Sequence, residues 1–385
     1  MPETEARWPT LAPPPRSGAR VGEGAGSPAL AEARRTMEIC NACRYCEGFC
    51  PVFPAMELRR AFSDGDLGYL ANLCHNCKGC WHACQYAPPH EWGLNLPRAF
   101  AELRAETYAE HAWPRGLGQL FERNGLTVSL ATALSLAAVM ILTMLLQDQA
   151  ALTARHTGPG AFYAVIPWGA MVTLGGLSFG WAVIAMAIGG RSFWRASGGG
   201  ALRWAALRAA LRDAGQTRHL DGGGDGCNDF DERFGMGRRH FHLATMWGFL
   251  LCFAATSAGT VMDHLLGWAA PYSWYSAPVV LGTLGGIGLM AGTGGLFAIK
   301  FLTDRAPEAT NRWGMDLGLL GLLHFTAATG LALLSFRHTS AMGWLLAIHL
   351  GFVLALFVTL PYGKMVHGVY RLLALVRHHQ EQRAP

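Results

Sequence analysis

The sequence predicts an all-α protein in two parts, a small polar head followed by a six-helix transmembrane bundle. Three observations point there. The 385 residues are 51% hydrophobic but only 15% charged, well below the ~25% charged share of an ordinary soluble domain. The polar share lies almost entirely before residue 126, and it dilutes the mean hydropathy to +0.21. No apolar stretch after that point alternates as a barrel strand would, so each stretch that crosses lipid must satisfy its backbone internally, as helix. The 48 glycines follow no fixed period, which excludes a collagen-like chain. Many fall inside the apolar stretches, where small residues let helices approach closely.

The expected domains are a disordered arm over 1–33, a cysteine-rich head over 34–125, a transmembrane domain over 126–370 with a polar connection at 191–240, and a tail over 371–385. The arm is rich in Pro, Gly, Ala and Arg and lacks the apolar run of a signal peptide. Its glycines at 22, 24 and 26 follow no strand, so they do not make a dinucleotide fingerprint.

The head carries the most specific signal. Eight of the ten cysteines fall between residues 40 and 84. Cys40, Cys43, Cys46 and Cys50 read C-x2-C-x2-C-x3-C, and Cys74, Cys77, Cys80 and Cys84 repeat those intervals. Such runs belong to two-cluster proteins, in which three closely spaced thiolates ligate one cubane and the fourth reaches the other. Two [4Fe–4S] clusters are expected, one on Cys40, Cys43, Cys46 and Cys84, the other on Cys74, Cys77, Cys80 and Cys50. Pro51 follows the first run as in bacterial ferredoxins, whereas Gln85 follows the second. Structural zinc sites use cysteine pairs at longer intervals. The intervening segment reads as helix after Pro54, so the head is expected to be a helical, two-[4Fe–4S] ferredoxin-like domain. Cys252 reads as a packing residue, and Cys227 has no partner at ligand spacing.

Six segments reach the ~20 residues needed to cross a bilayer, at about 127–147, 161–189, 241–263, 277–299, 315–335 and 343–367. Lys and Arg fall in alternate connections, nine of them between 191 and 240, with Lys300, Arg305 and Arg312 in the next and Lys364, Arg371, Arg377 and Arg383 at the end. The positive-inside rule then puts both termini and the head on the cytoplasmic side, where disulfides are disfavoured. Trp168, Trp268, Trp274, Tyr272 and Tyr275 lie where an outer aromatic belt is expected.

Histidines inside spans are functional by default. His242 and His264 on the third segment are 22 residues apart, ~40° beyond whole turns, and His349 and His367 on the sixth are 18 apart, or ~5 turns. Because the two segments run oppositely, His242 is expected to meet His367 on the inner side, and His264 to meet His349 on the outer side. Facing imidazoles at one depth suit a six-coordinate haem b, which predicts a cytochrome b-like bundle with one or two haems. Phase favours His242 over His240. An alternative pairing uses His324 and His338 on the fifth segment, 14 residues apart.

The segments MEICNACRYCEGFCPVFPAME, CHNCKGCWHACQYAPPHEWGLNLPR and LPYGKMVHGVYR resemble the tricarballylate/citrate utilization protein B family, related to the carboxy-terminal half of a fused flavoprotein of cobalamin synthesis. The likeness covers residues 36 to about 380. It implies a membrane iron–sulfur and haem partner of an FAD-dependent tricarballylate dehydrogenase that passes electrons from reduced flavin to quinone. The eight cysteines and the membrane histidines would keep those roles. The chain has no flavin fingerprint of its own, so the two-electron donor is expected to be another protein, docked on the head and steered by Arg44, Lys78 and the arginine-rich connection. His240, Arg239, Lys364 and Tyr362 are the candidate quinone contacts. Membrane lipid is a partner and nucleic acid is not. The competing reading is the membrane subunit of a disulfide or sulfur-compound reductase fed by quinol. A transporter would show inverted repeats and broken helices, which the sequence does not suggest.

Overall fold

A computed structural model describes residues 26–382. The expected disordered arm lies largely outside these residues, and where it is described, from Pro28, it is already helix. Helix α1 (Pro28–Cys43) begins with Ser27 as N-cap and proline in its first turn, the arrangement that satisfies or removes the orphan donors of a helix start. There follow α2 (Val52–Glu57), α3 (Asp64–Leu73), α4 (Gly79–His82) and α5 (Leu96–Glu110). Ser63 and Asp66 close a reciprocal capping box on α3.

Beyond residue 123 come α6 (Asn124–Leu146), the short α7 (Gln149–Thr153), α8 (Trp168–Ala196), α9 (Trp204–Gly215), α10 (Gly237–His264), α11 (Ala277–Leu302), α12 (Trp313–Phe336), α13 (Met342–Thr359) and α14 (His367–Glu381). Among the described residues six helices are long and apolar enough to cross a membrane: α6, α8, α10, α11, α12 and α13. These six helices are compatible with a multi-pass membrane protein. Leu134, Leu145 and Leu177 stay 70–78% exposed, acceptable against lipid but costly against water. Hydroxyls within the spans bond back to carbonyls four residues earlier, as Thr132 does to Val128 and Thr143 to Val139, so they need no water.

Helices α10 and α11 touch backbone to backbone. A Cβ on Gly292 would lie 2.5 Å from the Thr245 nitrogen, and one on Gly248 would lie 2.6 Å from the Leu289 nitrogen. Small residues create this seam.

Two expectations about the chain's course change. The sixth segment is not one helix: α13 ends at Thr359, tight turns occupy Leu360–Tyr362 and Lys364–Val366, and α14 starts at His367. Nor is the 191–240 connection a free loop, or the described part of the tail, as far as Gln382, a free tail. Ala206 and Ala210 of α9 and Ala374, Leu375 and Val376 of α14 lie in the head's core with Met37, Phe53, Leu70 and Phe100. Arg377 and Glu381 of α14 bond Asp66, Arg59 and Tyr69 of the head.

Gly292→Val should destabilise the detergent-solubilised protein by about 1–3 kcal/mol, the usual cost of forcing bulk into a packed seam. Gly294→Val, whose Cβ would meet nothing within 4 Å, should shift thermal unfolding far less.

Candidate metal centre and junction cavity

Helix α1 delivers Cys40 and Cys43 from its last turn, three residues apart and so on one face. Arg44 then reverses the chain at φ 57°, leading to Cys46 and Cys50. Cys74 caps α3 in extended conformation, Asn76 and Lys78 follow at φ 58° and 68°, and Cys80 sits in α4 with Cys84 just beyond. Among the described residues, three of the four non-glycine residues with positive φ lie between cysteines. That conformation costs ~1–2 kcal/mol per residue and persists where the surroundings impose it; here it tightens the loops so that the thiols converge.

Two cavities receive them. Cys40, Cys43, Cys46 and Cys84 line one, together with Cys80. Cys50, Cys74, Cys77 and Cys80 line the other. All eight are free thiols. Burial, then repulsion from Cys46, Cys84 and Cys43, pushes the Cys40 thiol up to about 12, and Cys46 reaches the same value through burial with Cys84, Cys43 and Cys77. Buried Cys50 and Cys80 rise well above the ordinary thiol range, with Cys77 and Cys74 among the charges that raise them. The linings divide the thiols into Cys40, Cys43, Cys46 and Cys84 on one side and Cys50, Cys74 and Cys77 on the other, with Cys80 at both cavities. The Gln85 amide donates to the Cys43 sulfur at 3.8 Å and the Asn76 N–H to the Cys74 sulfur at 3.4 Å. Among the described residues no three His, Cys, Asp or Glu groups meet so as to hold a single metal ion. Cys227, which looked isolated, is buried with Cys77 and Leu220, and the Asn228 N–H donates to the Cys77 carbonyl at 2.9 Å.

Lys78, expected to face a partner, is instead fully buried. Its ammonium lies 2.8 Å from Glu308 and donates to Thr303. Glu308 continues to Lys300 at 2.7 Å, Lys300 to Asp316 at 2.9 Å, and Asp316 to Lys364 at 2.9 Å. Burial disfavours the Glu308 carboxylate, but Lys300, Arg238 and Lys78 outweigh it and hold the group at about 2.

Beside this chain of ions opens a cavity of about 590 Å³, within the ~300–1,000 Å³ range of cofactor pockets. Met246, Phe249, Leu319 and Leu323 give it apolar walls; His75, Arg104, His242, Lys364, His367 and Arg371 give it polar ones. The His242 and His367 rings stand 6.2 Å apart between centroids, their planes 83° to one another. His367 Nδ1 lies 2.6 Å from the Lys364 carbonyl. A carbonyl only accepts, so Nδ1 carries the proton and Nε2 is left as an acceptor. The His242 Nδ1 is buried without a hydrogen-bond partner among the described residues.

The other histidine pairing is not brought together. His264 Nε2 accepts from the Trp168 indole at 2.7 Å, while His349 packs on Gly330 and sits 3.2 Å from the Thr329 hydroxyl. Their expected pairing rested on an unbroken helix from 343 to 367, and the break at Leu360–Val366 removes that phase relation. On α12, His324 meets Thr293 at 2.9 Å, and His338 lies past the helix end at Phe336, against Arg337. Of the four candidate quinone contacts only Lys364 lines the cavity. His240 is exposed, Arg239 bonds the Gln216 carbonyl, and the Tyr362 hydroxyl accepts from Trp181 and donates to Trp113. Sequence reasoning missed Arg104, whose signal was a cation within the otherwise apolar-periodic α5, and it read Arg371 only as a charge of the tail although it lies four residues after His367.

A family model described as Citrate utilization protein B matches residues 119–385, and one described as the Citrate utilization protein B Fer4-like domain matches residues 33–110. The chain is similar to an Escherichia coli protein named Citrate utilization protein B, 46% identical over 354 residues covering 92% of this chain and 93% of that protein. No solved structure matches.

Glu308→Leu should destabilise the protein by about 3–5 kcal/mol, because it removes the one carboxylate paired with the fully buried Lys78 ammonium among the described residues, and Glu308→Leu with Lys78→Met should recover part of that loss in denaturant titrations. Because the folded carboxyl at about 2 lies below its ordinary 4.5, its ionisation contributes stability fully above pH ~4.5, and that contribution is lost as the pH falls toward 2. The stability gap between the native protein and Glu308→Gln should narrow across that window.

Proposed function

The chain belongs to the citrate utilization protein B family, and from that premise we propose that it is a membrane electron-transfer protein. It receives electrons from a reduced FAD-dependent dehydrogenase of the tricarballylate type and delivers them through two [4Fe–4S] clusters and haem b to quinone. The Fer4-like head gives the chain an iron–sulfur electron-transfer role; the partner, the haem, the acceptor and the number of clusters are the proposal. One observation carries it: the eight thiols line two cavities, with Cys80 at both, and the carbonyl of Cys74, at the second, is bonded by Arg104 and Arg371 on the wall of the cavity that holds His242 and His367.

The donor sets suit these groups. Cubane clusters take four soft thiolates each, and thiols pushed up by burial and mutual repulsion ionise when positive metal is present. The N–H donors from Gln85 and Asn76 would tune the potential through the sulfurs. Haem iron takes imidazole Nε2, and a ligating histidine ordinarily donates its other N–H to a carbonyl, as His367 does to Lys364. When bound, the clusters and haem supply one-electron carriers, so the chain itself need only hold them close, exclude water and keep them oriented. Arg44 and Tyr45, next to Cys43, are exposed, and the dehydrogenase docks there. Both ends of the chain and the head face the cytoplasm of a bacterial inner membrane, following the Lys and Arg distribution.

Anaerobically purified protein should hold about eight iron and eight acid-labile sulfide per chain, as two cubanes require, and should give a haem b pyridine haemochrome. His367→Ala and His242→Ala should each lose the haem signal and His264→Ala should keep it. Zinc in place of iron, or no haemochrome, would contradict the respective half of the proposal.

A further inference from the structure

We propose that Arg104 and Arg371 form a carboxylate-binding clamp on the wall of the junction cavity that takes the acidic side chains of a tetrapyrrole. This rests on the reading of His242 and His367 as its axial ligands. The cavity wall carries more positive charge than its carboxylates neutralise. Lys300 and Lys364 are matched by Glu308 and Asp316, and Arg238 by Asp229 at 3.3 Å. Arg104, 4% exposed, has no carboxylate partner among the described residues; its Nη1 donates to the carbonyls of Ala71 and Cys74. Among the described residues Arg371 likewise hydrogen-bonds carbonyls alone, its Nη2 donating to Cys74 at 2.9 Å and its Nε to Asn72 at 3.4 Å.

Each guanidinium has five donors in a planar fork, and carbonyls occupy only some of them. Carbonyls also leave the charge uncompensated, and an unpaired buried charge is strongly unfavourable. A carboxylate ligand supplies what is missing, since the guanidinium fork matches its geometry. The two arginines converge from different helices, α5 and α14, and Arg371 follows His367 by four residues, placing both on one face of α14. Free carboxylates share the clamp's chemistry. The apolar walls from Met246, Phe249, Leu319 and Leu323 favour a ligand with a large apolar body, and a tetrapyrrole joins that body to an acidic edge. The clamp would then bridge the Cys74 carbonyl and the haem edge, giving the two carriers a hydrogen-bonded connection.

The test uses full-length protein produced under haem limitation and titrated in detergent with haemin and with haemin dimethyl ester, read from the Soret band. The native protein should bind haemin at least about tenfold more tightly than the ester. Arg104→Gln and Arg371→Gln should each weaken haemin about tenfold or more while leaving the ester unchanged, and Arg371→Lys should restore part of the loss. Arg239→Gln, off the cavity, should match the native protein. Haemin affinity equal in the native and both glutamine variants, or no preference for haemin over the ester, would overturn the clamp while leaving the haem reading intact if binding still requires His242 and His367. Binding that survives His242→Ala and His367→Ala, or no Soret change at all, would remove the haem reading and the clamp with it. Citrate protecting haem-free protein against thermal unfolding, with that protection lost in both glutamine variants, would assign the clamp to free carboxylates and overturn the tetrapyrrole.

Discussion

The architecture depends on a line of buried charge. Lys78 lies inside the second cysteine run, yet its ammonium is spent on Glu308, in the connection between two membrane helices, and the line continues through Lys300 and Asp316 to Lys364. A lone buried ion is expensive, but a chain in which most ions have opposite neighbours offsets its own desolvation, and removing Glu308 leaves the buried Lys78 without an ion partner among the described residues. The head is thereby fixed against the bundle, with its cysteine loops and the histidine cavity held side by side. Electron transfer over protein distances asks for that proximity and for little else from the polypeptide.

The break after α13 has the same consequence by another route. Pro361 has no N–H to give a helix, and the buried Asn124 amide takes the Tyr362 carbonyl at 2.7 Å, so the freed backbone is satisfied where the chain turns. His367 then opens a new helix instead of ending an old one. Its ring reaches the cavity at the head's edge, and the remainder of α14 packs into the head's core. One segment thus contributes to the bundle, the cavity and the head.

Much of this was legible in the sequence. The repeated cysteine intervals named the eight thiols, and hydropathy found the six spans, although the second was placed about seven residues early and the sixth was carried past its end. His242 and His367 were singled out by depth and lie 6.2 Å apart. The part that was not legible has a physical cause. Treating 343–367 as one helix imposed a phase on His349 that the turn at Pro361 abolishes, although proline inside a helical pattern is itself a stop signal. Lys78 read as a surface charge because composition does not reveal a carboxylate 230 residues away. The burial of α9 and α14 on the head is likewise tertiary: their apolar faces are visible in the sequence, but what covers them is not.

The central claim is that electrons entering the cysteine head reach the site between His242 and His367. The direct test is stopped-flow absorbance of the proposed haem after mixing the anaerobic protein with a reduced soluble flavoprotein too large to enter the cavity. The account predicts haem reduction in the native protein and at least about a tenfold slower phase in Cys77→Ser, which removes a thiol of the second group while leaving both histidines in place. Haem reduced at the native rate in that variant would contradict the path.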